Sequence, residues 1–184
     1  MLPLAFNLEG VKVLVVGAGH VGAHKAAQCL ASGARVSVIA TAVTGAMPTN
    51  VDRFERRAYV SGDLEGFSLV IAATGNAQVN DQIVNEAKQR GLWLNVVDDP
   101  LRSNFYFMAL LHRGEVTAAV TTSGASPALS QELRDRVAAV VPEGVAHVAA
   151  VLRAERQELH DAGVSTEGID WRHRVRQLLG EADC

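Results

Sequence analysis

Val11-Lys12-Val13-Leu14-Val15-Val16-Gly17-Ala18-Gly19-His20-Val21-Gly22 is the stretch that decides the fold. A short run rich in β-branched residues ends in glycine, which predicts a buried parallel strand. Gly17, Gly19 and Gly22 then stand at G-x-G-x-x-G spacing, and a helical pattern opens at His20. Gly17 permits the tight turn, Gly19 a close approach of backbone to a pyrophosphate, and Gly22 close packing of helix on sheet. The free N–H groups of the helix N-terminus, with their partial positive charge, suit a phosphate anion. The helix is expected to run from His20 to about Ser32, with Gly33 stopping it. Arg35–Ala40 reads as the second strand. Strand, loop, helix and strand make one βαβ unit. In that context the motif signals a bound dinucleotide and not a bare turn.

Working outward, Thr41–Asp52 contains Pro48 and reads as a loop or short helix, and Arg57–Val60 as a weak strand. Phe67–Ala73 is a strongly apolar strand that ends at Thr74, and Gln78–Arg90 has helical spacing through Val79, Ile83, Val84 and Ala87. Leu92–Val97 is the next strand and ends in Asp98-Asp99-Pro100. This alternation predicts an α/β, Rossmann-like parallel sheet covered by helices. Ligands of such sheets bind outside the carboxyl ends of the strands, which makes Thr74 a candidate cofactor contact.

The pattern then changes. Phe105–Leu111 and Glu115–Thr121 are joined by only His112-Arg113-Gly114, which permits an antiparallel hairpin. Ser126 suits an N-cap and Pro127 the first position of a helix spaced through Leu129, Leu133, Val137 and Val141. Helices are also expected over about Glu143–His160 and Thr166–Leu179. The expected division is therefore a nucleotide-binding domain at 1–112, a small hairpin-containing dimerisation segment at 113–141, and a C-terminal helical domain at 142–184. A lone hairpin is marginal in water and needs a partner, and a second subunit is a natural one.

Composition bounds the partners. Apolar residues make up 48% of the 184 and charged residues 20%, enough for a real core. Seventeen basic against twenty acidic residues give a formal charge of −3, which does not point to nucleic acid. Cys29 and Cys184 form no disulfide framework, and Met1–Gly10 lacks the basic start and apolar stretch of a signal peptide. Pro142 and Glu143 interrupt the longest apolar candidate before it reaches the roughly 18 residues of a membrane span. A cytoplasmic protein with no membrane partner is expected.

One common feature is missing. An NAD-selective fold usually places Asp or Glu at the end of the second strand, where this chain has Thr41-Ala42. Thr41 offers a weaker hydrogen bond to a ribose, and no arginine cluster for a 2′-phosphate stands at that strand end. NAD is favoured over NADP on that reading.

The chain as a whole resembles precorrin-2 dehydrogenase, the module found at the N-terminus of siroheme synthases. The resemblance rests on V-V-G-A-G-H-V-G-A-H-K (Val15–Lys25), G-A-R-V-S-V-I-A (Gly33–Ala40) and V-I-A-A-T-G-N-A-Q-V-N (Val70–Asn80). It continues in L-N-V-V-D-D-P (Leu94–Pro100) and V-T-T-S-G-A-S-P-A-L-S (Val120–Ser130). It implies NAD-dependent oxidation of precorrin-2 to sirohydrochlorin in siroheme biosynthesis, by a homodimer. It implies that Asp98 is the catalytic carboxylate, and that His20, Val21, Thr41 and Ala42 join the glycine loop, Ala18 included, around the cofactor. By position alone Asp98 also suits a turn before Asp99-Pro100. Where the family usually has a glycine this chain has Ser123, and where it has a proline this chain has Met108. Thr122 stands where a fused bacterial member carries serine.

A pocket for a macrocycle with many carboxylate arms needs cations or free donors. Arg102, close behind Asp98, is the preferred cation among Lys25, Arg102, Arg113, Arg134 and Arg136. Thr122, Ser123 and Gly124 lie in a polar segment leading into a helix and are candidate substrate contacts. His20 and His24 are four residues apart, but no third ligand stands near them in the sequence, so no bound metal is expected. Two other functions compete: a bifunctional enzyme that also inserts ferrous iron, and an NAD-sensing module without catalysis. The missing ribose acid and the N-V-V-D and T-S-G-A-S-P segments weigh against the sensor.

Overall fold

The structure, a computed structural model, describes residues 2–180. Cys184 and the end of the expected helical domain lie outside the described residues. The chain divides between Tyr106 and Phe107 into two compact units.

In the first unit β1 (Lys12–Ala18), β2 (Arg35–Val43), β3 (Arg53–Glu55), β4 (Leu69–Ala72) and β5 (Trp93–Val96) form one parallel sheet in the order β3-β2-β1-β4-β5. Helices α1 (His20–Ala31) and α2 (Ala77–Arg90) make the crossovers. Leu14 and Val16 of β1 and Val70 and Ala72 of β4 share a cluster with Ile83 and Val84 of α2. The alternate residues Val13, Val15, Leu69 and Ile71 are also buried, and point to the opposite face. A sheet covered on both faces explains why β1 and β4 read as unbroken apolar runs. From β1 the chain builds outward to β2 and β3, then returns and builds the other way through β4 and β5. The strand order therefore reverses between β1 and β4, which is where this architecture binds ligands.

Three local expectations change. The weak strand expected at Arg57–Val60 lies earlier, as β3, which pairs Arg53, Phe54 and Glu55 with Ser37, Val38 and Ile39. Arg57 instead turns to Asp63, 2.6 Å away, and Tyr59 is buried with its hydroxyl on Glu86, so the chain leaves the sheet. The second strand does not stop at Ala40. After a register shift Ala18 pairs with Val43, and β2 runs on over the glycine loop. The helix expected from Thr166 begins at Trp171, because Asp170 caps it through the amides of Arg172 and His173.

The second unit holds a hairpin, β6 (Ala109–Arg113) and β7 (Val116–Val120), and helices α3 (Pro127–Val140), α4 (Val145–Asp161) and α5 (Trp171–Leu179). The hairpin pairs Arg113 with Val116 and turns on Gly114-Glu115, with Gly114 at φ +59°. The expected boundary at 112/113 would cut this ladder, whose cross-strand bonds keep both strands in one unit. Ser126 caps α3 through the Leu129 amide, and Pro127 follows it. Among the described residues no single helix is long and apolar enough to cross a membrane, and α3 and α4 meet at a bend of 69°.

Candidate dinucleotide site

The three glycines of the loop answer to different constraints. Gly17 has φ +105°, and a Cβ there would lie 2.3 Å from the carbonyl oxygen of Ala73, just past β4. That contact joins the exits of β1 and β4 at the reversal point. A Cβ on Gly22 would lie 2.1 Å from the Gly17 carbonyl oxygen. Gly19 is different: a Cβ there would meet only Thr44 Oγ1 at 3.8 Å. The fold itself does not require glycine at 19, so the space beside it is open to another molecule.

Gly19 is also the N-cap of α1 and makes no side-chain cap bond. The first intrahelical bond runs from the Ala23 amide to the Gly19 carbonyl, at 2.9 Å. The amides of His20, Val21 and Gly22 precede it and have no helical acceptor. His20 and Val21 are exposed, while Ala18 is buried and its carbonyl accepts from the Thr44 and Gly45 amides at 3.0 and 3.2 Å. Open space, uncapped amides and a helix dipole form a donor set that fits a pyrophosphate.

Sequence reasoning missed Gly45. A Cβ there would lie 2.6 Å from the Gly19 carbonyl oxygen, so a glycine is needed to close the loop after β2 onto the motif. The only sequence signal was the Thr-Gly pair itself, a common turn element. Thr41 and Ala42 are exposed near the end of β2, and Arg56 Nε approaches the Thr41 carbonyl at 3.5 Å. Thr74 lies at the exit of β4, where its hydroxyl donates to Asn80 Oδ1 at 2.6 Å and Asn80 Nδ2 donates back to the Thr74 carbonyl. Thr74 therefore fixes the β4–α2 turn.

Asp98 follows β5 on the same edge of the sheet. It is exposed and has φ +59°, a left-handed conformation that side chains seldom adopt. The ladder holds it there: the Val97 amide donates to Ala72 and the Asp99 amide to Val96. Asp99 takes the turn role, accepting from the backbone and side chain of Arg102. That guanidinium holds the Asp99 carboxyl below the usual range. Arg102 also meets Asp81 at 2.5 Å, so two carboxylates balance the cation expected to bind substrate. Lys25 of α1 is half-buried, and burial pushes its amine down to about 8 against a smaller opposing effect from Cys29.

In the second unit Thr122 is engaged with its own turn. Its hydroxyl donates to the Ser126 carbonyl, accepts from the Ser126 amide and meets Ser130 Oγ, all within 3.1 Å. Ser123 and Gly124 are exposed with φ of +57° and +84°. Ser123 thus holds a glycine-like conformation where the resembled family usually has glycine. His20 and His24 are exposed, and among the described residues no three His, Cys, Asp or Glu side chains group to hold a metal ion.

The strand order and the glycine loop define a dinucleotide-binding α/β unit of the Rossmann class. The family described as "Putative NAD(P)-binding" matches residues 4–109, and the chain belongs to that family. It is 38% identical over 143 residues to "Siroheme synthase 2" of Aeromonas hydrophila subsp. hydrophila, covering 77% of this chain and 30% of that one. It is 34% identical over 184 residues to "Siroheme synthase" of Methylococcus capsulatus, covering 98% of this chain and 35% of the relative. The chain thus spans about a third of the length of the curated relatives it matches. The solved structure of "SirC, precorrin-2 dehydrogenase" shares the fold with a TM-score of 0.75 at 24% identity, covering all of this chain and 90% of that one.

Proposed function

We propose that the chain is a dehydrogenase that oxidises precorrin-2 to sirohydrochlorin. The observation that carries this reading is a dinucleotide cradle at Gly19 on the same sheet edge as a strained, exposed carboxylate at Asp98. The resemblance carried by the motifs from Val15 to Ser130 supplies the substrate, and the siroheme synthase relatives support that pathway of tetrapyrrole chemistry. The resemblance implies NAD⁺ as the acceptor.

A bound nicotinamide dinucleotide supplies the hydride acceptor. The amides of His20, Val21 and Gly22 would hold its pyrophosphate, and the bare Gly19 backbone would let it come close. Removing two hydrogens from the macrocycle releases one hydride and one proton. The Asp98 carboxylate takes that proton. The ladder around Val97 and Asp99 fixes the backbone that carries it, consistent with strain stored where function needs a set geometry. The chain acts as a homodimer, because the second unit cannot bury an apolar core alone. Among its described residues Val148 is the only buried hydrophobic side chain.

Anaerobic incubation with precorrin-2 and a nicotinamide dinucleotide tests the reaction by absorbance. Sirohydrochlorin should form together with one equivalent of reduced dinucleotide. Dinucleotide binding without turnover would overturn the dehydrogenase reading and leave a binding module.

A further inference from the structure

β5 ends the sheet on its side, and among the described residues its outer edge pairs with no further strand. Its inner amides serve the β4 side: Trp93 donates to the Ser68 carbonyl at 3.2 Å and Val97 to the Ala72 carbonyl at 2.9 Å. Its outer amides go to side chains. Leu94 donates to Asn104 Oδ1 at 2.7 Å and Val96 to Ser103 Oγ at 2.9 Å. The chain reverses after β5, and Ser103 and Asn104 take the place of a neighbouring strand.

Ser103 does more than cover an edge. Its hydroxyl donates to the Asp99 carbonyl at 2.8 Å, and the Val96 carbonyl lies 3.3 Å from it. The Val96 carbonyl accepts from the Asp99 amide at 3.1 Å, which closes a four-residue turn with Asp98 in third place. One half-buried side chain thus holds both ends of the turn that carries Asp98. Positive φ at the third place of a turn suits glycine or asparagine, and Asp98 holds φ +59° there with a carboxylate attached. Val96 is only 2% exposed, so without Ser103 its amide would be buried and unpaired.

We propose that Ser103 is a positioning residue for Asp98: by bridging Val96 and Asp99 it keeps the turn left-handed and the carboxylate in one direction. This rests on the reading of Asp98 as the proton acceptor. Without the bridge the turn can relax to negative φ, which swings the Asp98 side chain away from the direction it now holds. A misplacement of about 1 Å at a reacting group costs about a hundredfold in rate.

The test is a double-mutant cycle on anaerobic precorrin-2 oxidation by the full chain, with kcat and KM measured for the wild type, Ser103→Ala, Asp98→Asn and the double variant. Ser103→Ala should lower kcat about tenfold to a hundredfold. Its dinucleotide affinity should stay at the wild-type value, because the glycine loop is untouched. In the Asp98→Asn background the same change should alter the residual turnover by no more than about twofold, since the carboxylate it positions is gone. Ser103→Cys keeps the side-chain volume with a weaker donor and acceptor and should fall between Ser103→Ala and the wild type. Should Ser103→Ala fail to fold, Ser103→Cys carries the same cycle. A wild-type kcat in Ser103→Ala, or an equal loss in both backgrounds, would overturn the positioning role alone. A wild type that binds the dinucleotide but does not oxidise precorrin-2 would overturn the dehydrogenase reading itself.

Discussion

A Cβ on Gly22 would stand 2.1 Å from the carbonyl oxygen of Gly17, so the first turn of α1 rests directly on the turn that ends β1. The obstacle is backbone and cannot rotate away. Gly22→Ala should therefore displace α1 from the sheet and destabilise the fold by about 2 kcal/mol or more. Gly19→Ala should separate folding from binding. Its Cβ has room, and the change at an N-cap costs about 1 kcal/mol at most. The added methyl occupies the space assigned to the pyrophosphate, so dinucleotide affinity should drop sharply. Urea unfolding and dinucleotide titration of both variants check this. Normal binding by Gly19→Ala would remove the loop from the site.

Asp98 separates charge from backbone in a second way. Asparagine tolerates the left-handed conformation nearly as well as aspartate, so Asp98→Asn should keep the turn at φ +59° and the unfolding midpoint. The carboxylate that takes the proton is gone. Precorrin-2 oxidation should fall by about two to four orders of magnitude, while dinucleotide binding stays. Asp98→Ala should lose turnover to the same extent. Near-normal sirohydrochlorin formation in either variant would return Asp98 to a turn-forming role.

The parts of the site that were legible in sequence are those built from neighbours along the chain. The Gly17–Gly22 spacing, the Ser126-Pro127 cap and the run into Asp98 are each local, and each is found where the pattern puts it. The illegible parts depend on pairing across the sheet. Arg56 reaches the end of β2 only because β3 pairs with β2, and a three-residue strand leaves almost no periodicity to read. Arg102 looks free in sequence, yet Asp81 of α2, distant in the chain, occupies it. Gly45 looks like an ordinary turn residue until Gly19 is found against it.

Glu86 of α2 is only 7% exposed, yet it accepts from Tyr59 Oη at 2.6 Å, from Ser61, from the Gly62 amide and from Arg90. Burial pushes its carboxyl up, but the Tyr59, Gly62 and Ser61 bonds and the Arg90 charge outweigh that and hold it below the usual glutamate range. A lowered folded value makes the ionised form stabilising. That stability is fully present above the unfolded value of about 4.3 and is lost as pH falls through the folded value. Glu86→Gln should lower stability at pH 7 by about 1–3 kcal/mol. The gap between variant and wild type should narrow at about pH 3. Urea midpoints at the two pH values decide it, since an unchanged gap would mean that the charge contributes nothing.

The dimer reading has its own structural marker on α3. Leu129, Leu133 and Val140 are 48%, 38% and 78% exposed. Steps of four and seven residues put them on one helix face. The contacts of α3 with β6 and β7 are served by another face, where Ser130 is buried and the Ala138 carbonyl accepts from Arg113. An apolar stripe turned away from the hairpin, in a unit whose only buried hydrophobic among the described residues is Val148, is best covered by the same stripe of a second copy. A twofold interface buries each residue twice. Leu133→Glu therefore removes two leucine contacts, at about 1.5 kcal/mol or more apiece. The dissociation constant should rise by about a hundredfold or more. Leu101→Glu is the control, because Leu101 is 96% exposed and lies in the first unit. Sedimentation should show a dimer for the wild type and Leu101→Glu, and a monomer at micromolar concentration for Leu133→Glu. A wild-type monomer, or a Leu133→Glu dimer of unchanged affinity, would place the missing core of the second unit elsewhere.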